Sequence, residues 1–216
     1  EAWLQEMCAA LCPNIYCFNA VLACFARRGD LQNVVSVFNL MEKCKLAPDV
    51  MSFTSLIDAY GQVGKHKLAR ENFFEMVARG ILPTLTTYNT LLKAYAAAGD
   101  VDLAMSLIKR MKWKSEPPDV ITYNTVIFCC SKAKIESDRV KAKDLVRDMV
   151  AASVEPTAST LTSFESAVGH SASEQLWKEL NIDTEPIRSR GLRRQRRHNP
   201  SFLKAQSSRD GQLSNA

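Results

Sequence analysis

Apolar positions return along this chain at spacings of three and four, inside blocks that themselves repeat every 35 residues. The segments Ile15–Asp49, Val50–Thr84 and Leu85–Asp119 superpose without gaps, and Val120–Thr157 joins them at 38 residues, with the extra three around Ile135 to Arg139. The fourth position is Phe18, Phe53, Tyr88 and Tyr123. The seventh and eighth are Val21-Leu22, Leu56-Ile57, Leu91-Leu92 and Val126-Ile127, and the eleventh is Phe25, Tyr60, Tyr95 and Cys130. Such spacing puts these side chains on one stripe of a helix of about 13 residues. Gly29, Gly64 and Gly99 stand at the fifteenth position and predict a left-handed stop, followed by Asp30 or Asp100 as cap of a second helix. That helix carries Ala69, Ala104 and Ala142 as small contact points, with Val34 in the first unit, and closes on Met41, Met76, Met111 and Met149. Pro13, Pro48, Pro83, Pro118 and Pro156 then end each pair, since proline cannot continue a helix.

Each unit therefore reads as a helix hairpin that is apolar on both flanks. It cannot bury those flanks alone, so the units must stack into an all-α solenoid, whose hand the periodicity leaves open. Glu1–Asn14 reads as the second helix of a truncated unit, on the recurrence of Trp3, Leu4, Met7, Cys8 and Leu11. Residues 158–182 read as a degenerate capping repeat and 183–216 as a separate tail. Packing accounts for the aromatic, leucine, methionine and alanine positions without any partner.

Charge adds one thing to this picture. The tail from Asp183 holds eight Lys/Arg against three acidic residues, which leaves 20 of each sign in residues 1–182, so the net charge of +5 resides in the tail. A nucleic acid would be held on the body through local placement of groups, not through a broad basic field. The tail, rich in arginine, serine and glutamine, is expected to be disordered. Its stretch Arg188 to His198 is open to two readings, sequence-independent phosphate contact or a basic end that binds nothing specific. The seven cysteines form no CxxC pair and mostly fall on apolar positions, so they read as small buried thiols of a reducing compartment. Three scattered histidines give no zinc-ligand spacing, and no apolar run reaches the roughly 18 residues needed to cross a bilayer. With no glycine-rich phosphate loop and no grouped acids, the chain reads as non-enzymatic. It is expected to use no cofactor, metal or small-molecule substrate.

The period of 35, the aromatic-Asn openings Tyr88-Asn89-Thr90-Leu91-Leu92 and Tyr123-Asn124-Thr125-Val126-Ile127, the Gly-Asp between helices and the Met-x6-Pro-Asp ending closely resemble pentatricopeptide repeats of the P type. The resemblance covers about Glu1 to Ile182. It implies a right-handed superhelix that binds single-stranded RNA at one base per repeat. It further implies an organellar transcript as partner, in a chloroplast or mitochondrion, and a part in RNA processing, stabilisation, splicing, editing or translation. Four complete units read about four bases, too few to define a transcript, so the chain reads as the C-terminal part of a longer array.

In that family the fifth and last residues of a unit select the base, and the second packs between bases. Carried over, the base-reading pairs are Asn19 with Asp49, Thr54 with Thr84, Asn89 with Asp119 and Asn124 with Thr157. The base-stacking residues are Tyr16, Met51, Thr86 and Ile121. Asn beside a carboxylate suits a base that presents a ring N–H, as uracil does. The implied reading, 5′ to 3′, is U, a purine, U, a pyrimidine, with the three extra residues of the fourth unit able to displace Thr157 from Asn124. A plainer account stands beside each assignment. Asp49, Thr84, Asp119 and Thr157 follow prolines and precede helices, where capping alone explains Asp or Thr. Asn19, Asn89 and Asn124 resist that account, because asparagine is a poor residue for a first helical turn and its return suggests a solvent-facing recognition column. Arg27, Lys93 and Lys132 offer weak phosphate contacts, with a solvated helix face as the plainer reading. The rival function is a helical scaffold whose groove takes a protein segment.

Overall fold

The computed structural model describes residues 14–114, 116–133 and 135–190. Among these, ten helices pair into five hairpins: α1 (Ile15–Arg27) with α2 (Leu31–Lys43), α3 (Val50–Gln62) with α4 (His66–Ala78), α5 (Leu85–Ala98) with α6 (Val101–Trp113), α7 (Val120–Ala133) with α8 (Glu136–Ala151), and α9 (Ala158–Val168) with α10 (His170–Glu179). No strand occurs among the described residues. The first four hairpins coincide with the four repeat units, and the chain is a right-handed superhelical α-solenoid. The truncated unit expected over 1–14 falls almost wholly outside the described residues, as does the tail from 191 onward.

The turns form where the sequence places them. Gly29, Gly64 and Gly99 adopt φ of 68°, 74° and 73°, and the next backbone N–H returns to the eleventh-position carbonyl, as in Asp100 N–H to Tyr95 O at 3.0 Å. Asp30 and Asp100 then cap the second helices by accepting from the N–H groups of Asn33 and Leu103. The far end of the second helix uses a left-handed residue too, at Lys45, Gly80 and Ser153. There the closing methionine's carbonyl accepts the following N–H, Met41 from Leu46, Met76 from Ile81 and Met149 from Val154, at 3.0–3.1 Å. Only one of those three residues is a glycine, so this second turn has no sequence signature.

Stacking follows from the two apolar flanks. Each first helix lies against the first helices before and after it, and each second helix packs on its own first helix and on that of the next unit. The fourth-position aromatic is the joint: Phe53 meets Phe38 of the unit before at 5.2 Å between ring centres, and Tyr88 meets Phe73 at 5.3 Å. Burying one such aromatic with two aliphatic side chains contributes on the order of 5–8 kcal/mol per first helix before ordering entropy is subtracted. The three extra residues of the fourth unit do not form a loop. They lengthen α8 to 16 residues, against 13 in α2, α4 and α6.

Two expectations need correction. Of the five described cysteines only Cys129 and Cys130 are buried, while Cys17, Cys24 and Cys44 are exposed. Cys17 and Cys24 hold the third and tenth positions of their unit, which in later units are covered by the unit before, as at Ser52, Ala59 and Ala94. Cys44 follows the end of α2. The second correction concerns the tail, whose first residues are ordered: 185–190 are helical. Asp183 accepts the Glu185 N–H at 3.0 Å, and Ile187 packs against the core.

Candidate functional site

The site assembles at the N-terminal ends of the first helices. Asp49, Thr84 and Thr157 are N-caps closed by reciprocal bonds with the third residue of the helix they begin, Ser52, Thr87 and Thr160. Asp119 does the same: its carboxylate accepts the Thr122 N–H at 2.8 Å and its own N–H reaches the Thr122 hydroxyl at 3.3 Å. Capping is therefore a real function of every last-position residue.

The cap does not stand alone, because the fifth residue of the preceding first helix reaches across to it. Asn19 Nδ2 donates to both Asp49 carboxylate oxygens at 3.1 and 3.0 Å. Asn89 Nδ2 donates to Asp119 at 3.3 Å, and Asn124 Nδ2 to the Thr157 hydroxyl at 3.2 Å. The longer α8 thus leaves the fourth pair in contact. In the second unit the pair is not direct: Thr54 Oγ1 lies 2.8 Å from the Thr87 hydroxyl, which lies 3.2 Å from that of Thr84.

These contacts change the expected shape of the column. The asparagines do not project freely into solvent; Asn19 and Asn124 are half-buried, and Asn89 is only 8% exposed. They lie over against the next unit because its helix start supplies both an acceptor for the amide N–H and a donor for the amide oxygen. One Nδ2 proton of each amide is left over. The electrostatics agree with a charged cap. Burial pushes the Asp119 carboxyl up, but bonds from the Thr122 backbone and hydroxyl, from Asn89 and from the Ile121 N–H together outweigh it and hold the group below its ordinary value.

Beside each cap the second-position side chain stands out into solvent. Tyr16 is 78% exposed, Met51 56% and Ile121 52%, and Thr86 is exposed too. Arg27, Lys93 and Lys132 are exposed and make no ion pair among the described residues. They lie roughly 10–17 Å further along the first helices, at a rise of about 1.5 Å per residue, and Lys132 rests on the Phe128 ring. Arg79, Lys112 and Lys141, by contrast, are tied to carboxylates of neighbouring second helices. No group of three or more His, Cys, Asp or Glu able to hold a metal occurs among the described residues.

Sequence reasoning missed the third-position residues. Ser52, Thr87, Thr122 and Thr160 are all fully buried, and each contacts the fifth residue of the unit before. Four hydroxyl residues in succession at one register, next to a core aromatic, were the available signal.

With this geometry established, likeness to known proteins becomes interpretable. The sequence model of the PPR repeat family matches residues 13–61, 48–96 and 83–132, together more than half of the chain. No curated protein is matched by the chain. Among solved structures, the chain is similar to the pentatricopeptide repeat protein PPR10 from maize, at 26% identity and a TM-score of 0.64 over 87% of this chain. It is also similar to PPR10 in complex with an 18-nt psaJ RNA element, at 22% identity and a TM-score of 0.66 over 86%. The PPR domain of Arabidopsis thaliana protein-only RNase P 1 in complex with tRNA aligns at 15% identity and a TM-score of 0.58, over 87% of this chain and 93% of that one. The chain spans 26–28% of the length of PPR10.

Proposed function

The chain belongs to the PPR repeat family, and from that premise we propose that it binds single-stranded RNA along the row of first-helix N-termini, one base to each repeat. The observation that carries this reading is the recurrence, in three units, of a fifth-position amide in hydrogen-bond contact with the last-position residue, beside an exposed second-position side chain. Packing requires none of these three residue types together. The RNA in the PPR10 and RNase P 1 complexes supports the same assignment by analogy.

The mechanism follows from the leftover valences. At the first and third units the remaining Nδ2 proton of Asn19 or Asn89 donates to a base carbonyl, while the carboxylate of Asp49 or Asp119 accepts a ring N–H. Uracil presents that pair and cytosine, with an acceptor at the ring nitrogen, does not. The array reads U, a purine, U, a pyrimidine. Tyr16, Met51 and Ile121 separate successive bases; Tyr16 is the aromatic one, and a stacked aromatic is worth about 1–3 kcal/mol per base. Thr86 contributes least. Arg27, Lys93 and Lys132 add phosphate contacts. In an organelle such binding would shield or remodel a transcript and so act in its processing, stabilisation, splicing, editing or translation.

Selection from randomised single-stranded RNA tests the reading. Uridine should be enriched at two places two nucleotides apart, and Asp119→Asn should move only the second of them towards cytidine, because the new amide donates where the carboxylate accepted. A flat profile, or a uniform loss at every place, would refute it. The near-burial of Asn89 favours a second reading, a scaffold for a protein segment, in which the amides serve only to join repeats. That reading predicts the flat profile.

A further inference from the structure

Base selection as proposed above depends on which end of each asparagine amide faces the base. The two ends differ in kind, one donating and one accepting, yet they have almost the same shape, so something must decide between them. The bonds around the third-position hydroxyls supply the decision.

Each of these hydroxyls has its acceptor side fixed by the backbone. It receives the N–H of the cap residue, Asp49 onto Ser52 at 3.3 Å, Asp119 onto Thr122 at 3.3 Å and Thr157 onto Thr160 at 2.8 Å. The single hydroxyl proton must then point elsewhere, and its nearest acceptor is the amide oxygen of the preceding unit. Ser52 lies 2.6 Å from Asn19 Oδ1, Thr122 lies 2.7 Å from Asn89 Oδ1 and Thr160 lies 2.6 Å from Asn124 Oδ1. The cap's own side-chain oxygen is further off, at 3.0, 2.8 and 3.1 Å, and it already receives a backbone N–H.

Resting on the base-reading proposal, we infer that Ser52, Thr122 and Thr160 are positioning residues for the base site of the unit before them, holding the amide oxygen inward so that Nδ2 faces the cap residue and the base. A base site is therefore built across a repeat boundary, and a residue of one unit helps set the specificity of its predecessor.

The dependence is unequal, which makes it testable. At the first and third units the carboxylate of Asp49 or Asp119 accepts only, so it independently draws Nδ2 towards itself. At the fourth unit the cap is Thr157, whose hydroxyl both donates and accepts and cannot choose an orientation. There Thr160 decides alone. In the second unit the third-position hydroxyl plays a related part: Thr54 gives its proton to Val50 O at 2.6 Å, so a donation from Thr87 leaves Thr54 presenting only an acceptor.

The experiment compares Thr160→Val, Thr160→Ser and Thr122→Val in the 216-residue chain. The probes are short single-stranded RNAs carrying U, A, U and C, with each base in turn varied at the third or fourth place. The readout is the ratio of affinities between two RNAs for the same variant, in which any loss of folded protein cancels. Thr160→Val should cut the pyrimidine preference at the fourth place roughly five- to tenfold, the worth of about one hydrogen bond, and leave the third place unchanged. Thr160→Ser should restore it. Thr122→Val should cost only about two- to threefold at the third place, since Asp119 still orients Asn89. If Thr160→Val does not fold, Thr160→Ala carries the same expectation. Unchanged ratios in the valine variants, with Asp119→Asn still shifting the third base, would overturn this inference and leave base reading standing. Unchanged ratios in all variants, Asp119→Asn included, would overturn both. An equal loss of discrimination at every place would also overturn it, as the mark of a global defect.

Discussion

Gly61 lies inside α3, where glycine ordinarily costs a helix about 0.5–1 kcal/mol relative to alanine. On local grounds Gly61→Ala should stabilise the protein. The stacking of first helices predicts the opposite. A Cβ built on Gly61 falls 2.9 Å from the Cβ of Ala94 on α5 and 3.6 Å from its Cα. Neither atom can rotate away, so α3 and α5 must separate by several tenths of an ångström. Overpacking of this kind costs typically 1–3 kcal/mol. Set against the helix gain, the middle of both ranges leaves a net destabilisation of about 1 kcal/mol, or a melting temperature lower by roughly 2–4 °C at this chain length. Ala94→Gly removes the obstructing methyl, so adding it to Gly61→Ala should recover most of the loss beyond its own helix-propensity cost. Thermal and denaturant unfolding of the wild type, the two single variants and the double variant form the assay. A Gly61→Ala protein as stable as the wild type, or single effects that simply add, would refute the claim that close contact at this point sets the spacing of the second and third repeats. Because the proposed second base site spans the starts of α3 and α5, and the third those of α5 and α7, the single variant should also weaken binding of an RNA that spans both.

Two further outcomes follow from the ionisable groups. Asp119 is held below its ordinary carboxyl value of 3.8, so the stability it contributes is present above that value and is lost as pH falls through the lower folded one. Between pH 6 and pH 3 the stability gap between wild type and Asp119→Asn should therefore shrink, and a gap that widened in acid would contradict the bonding pattern. Burial pushes the Cys129 thiol up to about 11 and that of Cys130 to about 12, whereas Cys17, Cys24 and Cys44 are exposed. Iodoacetamide at pH 8 should label the latter three in the native protein and reach Cys129 and Cys130 only after denaturation, as read by peptide mass spectrometry.

The fold was legible because its determinants recur. Phe18, Phe53, Tyr88 and Tyr123 occupy one position four times, and a stripe seen four times cannot be mistaken for a buried strand. Gly29, Gly64 and Gly99 were readable for a related reason, since a left-handed turn at a fixed place favours the one residue that adopts it without strain. The turns at Lys45 and Ser153 use the same conformation without that residue, and so left no trace. Contacts between units were less accessible than turns within them. The sequence names Asn89 and Asp119 but not the hydroxyl between them, because Thr122 looks like an ordinary residue of a first helical turn until the preceding helix is placed against it. Cys17 was misread by a similar route: the same position is buried at Ser52, where the first helix of the unit before lies against it, and exposed at Cys17.

The last position of each unit carries two demands at once, and on the proposed reading this limits what the array can encode. It must cap a first helix, which Asp, Asn, Ser and Thr do well and apolar or long side chains do poorly. It must also meet the fifth-position residue of the neighbouring helix, at 3.0–3.3 Å where that residue is asparagine. A long side chain there would lose the cap, and an apolar one would lose both contacts and leave the amide and the helix start unsatisfied, at a cost of about 1–3 kcal/mol for each orphaned buried group. The residues that remain admissible differ chiefly in whether they present an acceptor alone, as Asp49 and Asp119 do, or either role, as Thr84 and Thr157 do. That is the distinction needed to separate a base with a ring N–H from one without. Under the proposed base reading, the chemistry of helix capping supplies the vocabulary for base selection, and a substitution that changes specificity at this position without loss of stability has to stay within the set of good caps.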